Sequence, residues 1–97
     1  MHLERAVLVS VALPSRPFLG DDPLEELRGL ATTASAALVE QAFRRPGIDR
    51  VEIVHDELNI ASGGVPRKLG FTDAGRRPID PPSAAGNGVG VVWRRIR

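Results

Sequence analysis

The chain of 97 residues contains no cysteine and no tyrosine, and only one tryptophan. Without cysteine there are no disulfides, thiolate zinc sites or cysteine nucleophiles, which fits a reducing cytoplasm, and we expect no bound metal. Basic and acidic side chains nearly cancel, 13 against 12, so the net charge of +1 creates no whole-molecule field that would gather nucleic acid or anionic lipid. The longest apolar run, residues 6–13, is too short to cross a bilayer. Composition therefore predicts a cytoplasmic protein with no membrane and no nucleic-acid partner.

Apolar residues make up 42% of the chain and charged residues 26%, as is usual for a small globular domain. The continuous apolar run at 6–13 is typical of a buried strand. Asp22 and Pro23 suit a helix N-cap and first helical position, so we expect one turn of helix at Leu24–Leu27. The length of the chain allows one domain at most.

A separate, longer helix is predicted over Leu30–Arg44, which is rich in good helix formers and is followed by Pro46-Gly47. Apolar residues at helical spacing predict its buried stripe: Leu30, Ala34, Ala37, Leu38 and Ala42. Glu40 and Arg44 are spaced for a favourable i,i+4 ion pair.

The second half of the chain alternates between predicted strands and one helix. Arg50–His55 alternates as a strand, and if it lies parallel to residues 6–13 the unit is β-α-β with a right-handed crossover. Asn59–Leu69 has a helix cap and the stop residue Gly70, but Pro66 requires either a short helix that begins there or a bend. Two more strands are predicted at Thr72–Ile79 and Val89–Ile96. The order β-α-β-α-β-β predicts an α/β fold with a mixed sheet.

Two segments together resemble the GCN5-related N-acetyltransferase (GNAT) superfamily. The first is Arg28-Gly29-Leu30-Ala31-Thr32 leading into the helix, and the second runs from Val51-Glu52-Ile53-Val54-His55 to Lys68-Leu69-Gly70-Phe71. The resemblance is greatest to the branch that acetylates ribosomal-protein N-termini, and it implies a partial GNAT fold. Residues 1–97 are then a single truncated or minimal domain, in which 26–97 form the acetyl-CoA-binding half and 1–25 are a strand and loop without further assignment.

The resemblance implies a binding site for acetyl-CoA. Backbone amides at a helix start would hold its pyrophosphate, with Arg28 adding a charged contact. The implied residues are Arg28, Gly29, Leu30, Ala31, Thr32 and Thr33. Family members also splay two parallel strands around the pantetheine arm, and the asparagine that contacts the arm is Asn59 here, where its alternative role is an N-cap.

The catalytic positions depart from the family pattern. Glu26 stands where the family has Gln or Arg, and a carboxylate repels pyrophosphate. Many family members have a tyrosine that protonates the departing thiolate, and Pro66 occupies that position here. The resemblance therefore implies Ser62 as the acid, because a serine hydroxyl can donate a proton to a thiolate. His55, just past a strand end, is the candidate general base, with Asp56 and Glu57 beside it as alternatives.

These residues lead to two hypotheses. The first is an acetyl-CoA-dependent N-acetyltransferase that acts on an amine, and the second is a non-catalytic GNAT remnant that binds coenzyme A or a partner chain. Half a sheet leaves an unpaired edge, so a homodimer is also expected. Nucleic-acid binding through Arg94, Arg95 and Arg97 is disfavoured by the small net charge.

Overall fold

The computed structural model describes residues 5–13, 23–79 and 86–97. These residues form a mixed four-stranded sheet with helices on one face, so the predicted α/β class is confirmed. In chain order the elements are β1 (Arg5–Ser10), α1 (Pro23–Arg44), β2 (Ile48–Asp56), the 3₁₀ helix η1 (Ile60–Gly63), α2 (Gly64–Lys68), β3 (Thr72–Pro78) and β4 (Val89–Ile96). The order is the predicted β-α-β-α-β-β.

The strands lie in the order β1-β2-β4-β3. β1 runs parallel to β2, with Val7 opposite Val51, as the predicted β-α-β unit requires. β4 is antiparallel to both of its neighbours and places Trp93 opposite Ile53 on β2. The last strand of the chain therefore lies inside the sheet, and β1 and β3 are its edges.

Helix α1 begins at Pro23, not at Leu30, so the predicted break between two helices is wrong. Residues 23–29 are mostly Leu, Glu and Arg, which favour helix, and Pro23 fits the first position because its missing N–H needs no partner there. Gly29, the residue that suggested a loop, costs only about 1 kcal/mol inside a helix. The predicted cap Asp22 lies outside the described residues.

The predicted buried stripe of α1 is also mostly wrong. Leu30, Ala34, Ala37 and Leu38 are exposed, and of the stripe only Ala42 is buried. Ser35, Val39 and Ala42 face the sheet instead. The helix has two rows of small or apolar residues, so periodicity alone does not select the row that packs.

The core lies between α1, α2 and the central strands. Its fully buried residues include Val51, Ile53 and Val65. The cluster consists of Val11, Leu13, Val39, Ala42, Val51, Ile53, Val65, Phe71, Val91 and Trp93. The opposite face of the sheet carries no helix among the described residues.

The bend predicted near Pro66 appears as a junction between two short helices, η1 and α2. Asn59 caps η1, since its side-chain oxygen accepts a hydrogen bond from Ser62 N at 3.3 Å. Pro66 lies in the first turn of α2, where no N–H donor is needed. Gly70 has φ +79°, a left-handed conformation that favours glycine, and it directs the chain away from α2 towards β3.

Candidate active site where two parallel strands diverge

β1 and β2 separate at their carboxyl ends. Their ladder continues through Ser10 opposite Val54, and the last bond joins Val11 N to Val54 O at 3.0 Å. β2 continues to Asp56, whereas the chain after Val11 turns towards η1. Ligands of open α/β sheets bind beyond the carboxyl ends of parallel strands, so this divergence is the first place to look for a site.

Asn59 and Ser62 hold the diverging segment at Leu13. Asn59 Nδ2 donates to Leu13 O at 2.6 Å, and Leu13 N donates to Ser62 Oγ at 2.9 Å. Ser62 is fully buried. The structure thus brings two of the predicted site residues together, and both bind the backbone of the same residue, Leu13, one as an amide donor and the other as a hydroxyl acceptor.

A cleft of about 380 Å³ opens beside this contact. Its walls are largely apolar, and five polar or charged residues line it: Ser10, His55, Asp56, Asn59 and Arg77. The lining residues are Leu8, Ser10, Val11, Ala12, Val54, His55, Asp56, Asn59, Arg77, Pro78 and Ile79. A mostly apolar cleft with a few converging polar groups is typical of a small-molecule site.

His55 is buried and both of its ring nitrogens are engaged. Nε2 accepts a hydrogen bond from Trp93 Nε1 at 2.9 Å, and Nδ1 lies 2.8 Å from Asp56 O. These partners assign the proton to Nδ1, since Nε2 must be the acceptor. In this arrangement neither nitrogen is available to a substrate, so His55 could act as the predicted base only after releasing Trp93.

Two adjacent glycines let the helices approach these side chains closely. A Cβ on Gly63 would lie 3.2 Å from His55 Nε2, and a Cβ on Gly64 would lie 3.1 Å from Arg28 Cδ. In the sequence these glycines only weaken a helix, whereas in the fold they make room for the two side chains.

The segment Arg28–Thr33 lies inside α1 and not at its start. Its amides therefore donate within the helix, and the free N–H groups expected there are absent. Thr32 Oγ1 donates to Arg28 O at 2.7 Å and Thr33 Oγ1 to Gly29 O at 3.1 Å. The prediction that Arg28–Thr33 forms a helix start whose backbone amides bind phosphate is therefore corrected: these residues lie within α1.

Arg28 is the member of that segment that approaches the rest of the site. Its Nη1 donates to Glu25 at 2.8 Å, and its aliphatic part lies against Gly64. Its Nε is buried and has no hydrogen-bond partner. This unused guanidinium donor lies against Gly64 at the start of α2, so it must be uncovered before it can bond to an anionic group.

Glu52 lies on the open face of the sheet and was not predicted as a site residue. Burial raises the pKa of its carboxyl, but hydrogen bonds and charges from Arg94 and Arg77 outweigh that effect and lower it. The closest contact is 2.8 Å, from Arg94 Nη2. A carboxylate neutralised in this way is a poor general base. Glu52 and Arg94 are directly opposite each other on β2 and β4, a pairing that depends on the strand register and could not be read from the sequence.

The fold is that of an α/β protein with a cleft where two parallel strands diverge. The family model described as Acetyltransferase (GNAT) domain matches residues 19–72, more than half of the chain. The chain belongs to the GNAT acetyltransferase family. No curated protein and no solved structure matches it. Within the described ranges, no helix has both the length and the apolar character needed to cross a membrane.

Proposed function

We propose that this protein is an acetyl-CoA-dependent N-acetyltransferase whose active site is the cleft between β1 and β2. The observation that carries the proposal is the pair Asn59 and Ser62, which meet at the point where the two strands part. The substrates are acetyl-CoA and an amine. We place the chain nearest the branch that acetylates ribosomal-protein N-termini, in the cytoplasm.

The polar groups at the divergence suit the amides of a pantetheine arm. Asn59 and Ser62 already bind the backbone C=O and N–H of one residue, so the pair offers one donor and one acceptor. Because that residue is Leu13, an arm entering between the strands must replace these two bonds. Binding therefore requires residues 11–13 to move away from η1.

The pyrophosphate contact is assigned to the side chain of Arg28, with Thr32 and Thr33 nearby on the same helix. Arg28 Nε has no partner within the protein, and charge-assisted bonds to phosphate are strong. A Cβ on Gly29 would meet nothing within 4 Å, so this part of the helix surface is open to a ligand. Leu30 and Ala31 then supply only packing contacts.

In the proposed reaction the amine nitrogen attacks the acetyl carbonyl carbon and the carbon–sulfur bond breaks. The thiolate takes a proton from Ser62, which recovers one from solvent, and the products are the N-acetylated amine and coenzyme A. The proton lost by the amine passes to water beside Asp56, which lines the cleft. His55 acts as a positioning residue, because its nitrogens hold Trp93 and the backbone of Asp56.

A second candidate is a non-catalytic module that binds coenzyme A or a partner chain. Two observations favour it. Asn59 and Ser62 are already bonded to the backbone of Leu13, and the chain contains no tyrosine. A homodimer through an exposed sheet edge fits either candidate.

Calorimetric titration with acetyl-CoA, followed by a thiol-release assay with a panel of primary amines, tests both candidates. We expect saturable micromolar binding and amine-dependent thiol release. Asn59→Ala should weaken binding by about tenfold, the effect of one amide hydrogen bond to a ligand. Asn87→Ala, a change of the same type on an exposed loop, should leave binding unaltered.

The outcomes separate the two candidates. Binding without thiol release would support the non-catalytic module. No binding by a folded protein would refute the cleft as a coenzyme A site.

A further inference from the structure

Six basic side chains form a continuous exposed surface, which we name the basic ridge. All six are exposed. The ridge consists of Arg44, Arg45, Arg67, Lys68, Arg95 and Arg97. Five of the six are arginine, the side chain whose planar fork matches a phosphate group.

Contacts through two aromatic rings make the ridge continuous. The guanidinium groups of Arg95 and Arg97 lie 6.0 and 5.5 Å from the centre of the Phe43 ring, and Phe43 adjoins Arg44 on α1. Arg67 lies 5.6 Å from the centre of the Trp93 ring. The ridge thus runs from the end of α1 across β4 to the end of α2.

Arg97 fixes one end of the ridge. It donates to Arg45 O at 3.0 Å and to Ile48 O at 2.7 Å, so it ties β4 to the end of α1. Arg95 reaches Leu69 O at 3.4 Å, next to α2. The cations are therefore held in place by the fold.

No acidic side chain among the described residues forms an ion pair with Arg44, Arg45, Arg67, Lys68 or Arg95. The predicted pair of Glu40 with Arg44 does not form. Ion pairs lie elsewhere: Glu25 pairs with Arg28, Glu52 with Arg50, Arg77 and Arg94, and Glu57 and Asp73 with Arg76. The net charge of +1 is thus an average over a segregated distribution, and it does not describe the field at the ridge.

The Arg97 end of the ridge is distant from the cleft, whereas the Arg67 end lies over Trp93, which bonds to His55 in the cleft wall. Arg97 N donates to Asp49 O near the start of β2, whereas the cleft begins at Val54 near the end of that strand. Five residues of strand correspond to about 17 Å. A ligand at the Arg97 end therefore does not need the acetyl-CoA site.

We propose that the basic ridge binds the phosphate backbone of nucleic acid without sequence preference. Clustered arginine and lysine on one surface supply the electrostatic contact. The rings of Phe43 and Trp93 are covered by arginines, so they offer no platform on which bases could stack.

Fluorescence anisotropy with a labelled single-stranded RNA of about 20 nucleotides tests the proposal. Arg97 is already bonded to two backbone carbonyls, so we count the other five ridge cations as phosphate contacts. If each contacts one phosphate, the logarithm of the binding constant should fall with the logarithm of salt concentration at a slope of about −3.5. Binding should then weaken about a hundredfold between 50 and 200 mM salt. A DNA strand of the same length should bind equally well, because the contacts are to phosphate.

Matched variants locate the contact. Arg44→Gln, Lys68→Gln and Arg95→Gln each remove one ridge charge and should each weaken binding about three- to fivefold, with a shallower salt slope. Arg76→Gln removes the same charge outside the ridge and should leave affinity unchanged. No RNA binding at 50 mM salt would overturn the proposal. So would equal effects of all four variants, or equal binding of a polyglutamate peptide. None of these readouts depends on acetyl transfer.

Discussion

The hydrogen bond between Trp93 Nε1 and His55 Nε2 can be removed with little change in core volume by replacing His55 with leucine. The bond is 2.9 Å long and buried, and Gly63 packs directly against the same ring nitrogen. In the leucine variant the indole N–H stays buried but loses its acceptor.

The structure gives the size of the expected effect. A buried donor left without a partner costs about 1–3 kcal/mol. Trp93 is only 9% exposed, so solvent does not replace the lost acceptor. We expect His55→Leu to lower the free energy of unfolding by about 2 kcal/mol, a fall in Tm of roughly 8–16 °C for a chain of this size.

Urea unfolding followed by tryptophan fluorescence measures this effect, because Trp93 is the only tryptophan. His55→Gln is the matched control, since its side-chain oxygen can still accept from the indole, and it should cost under about 1 kcal/mol. The reasoning is refuted if leucine leaves stability within about 0.5 kcal/mol of the parent, or if glutamine and leucine are equally destabilising. Retained acetyl transfer in His55→Gln would support a positioning role and contradict a role as general base.

Two further predictions concern the open face of the sheet. Because the pKa of Glu52 is lowered in the folded state, its ion pairs stabilise the fold above the pKa of the unfolded chain, near 4.5, and this contribution is lost as pH falls through the folded pKa. Glu52→Gln should therefore flatten the pH dependence of unfolding below about pH 5, and an unchanged acid limb in urea melts at several pH values would contradict this. Gly90→Ala would place a Cβ 2.9 Å from Ile79 Cδ1 and 3.0 Å from Val54 Cγ1, so we expect a loss of about 1–3 kcal/mol and weaker acetyl-CoA binding, because both neighbours line the cleft. A thermal melt identical to that of the parent would show that Ile79 moves aside freely.

The element order and most element ends could be predicted from the sequence. Val89–Ile96 was predicted with its observed bounds, and Arg44 ends α1 as predicted because Pro46-Gly47 follows. These are places where local chemistry and tertiary structure agree.

The start of α1 could not be predicted, because its signal is ambiguous. Gly29 marks a loop in the family pattern, but the flanking Glu and Leu residues favour helix at either side. The buried row of α1 was missed for a related reason. Burial of Ser35 beside exposed Leu38 depends on where the helix rests on the sheet, which periodicity does not determine.

The candidate site was predicted in part. Asn59 and Ser62 were named from the resemblance, and the structure brings them together at Leu13. Their partner could not have been predicted, because Leu13 lies 46 residues before Asn59 in the chain. The engagement of both His55 nitrogens likewise depends on Trp93, which comes from another strand.

The position of β4 inside the sheet affects how the chain folds during synthesis. β3 joins the other strands only through β4, and β2 gains its second neighbour only when residues 89–96 are available. The β1-α1-β2 unit can therefore form early on the ribosome, but with one side of β2 still unpaired. Until β4 emerges, β2 and β3 both expose backbone donors and acceptors to other chains. The synthesis of β4 thus covers the unpaired side of β2 and joins β3 to the sheet.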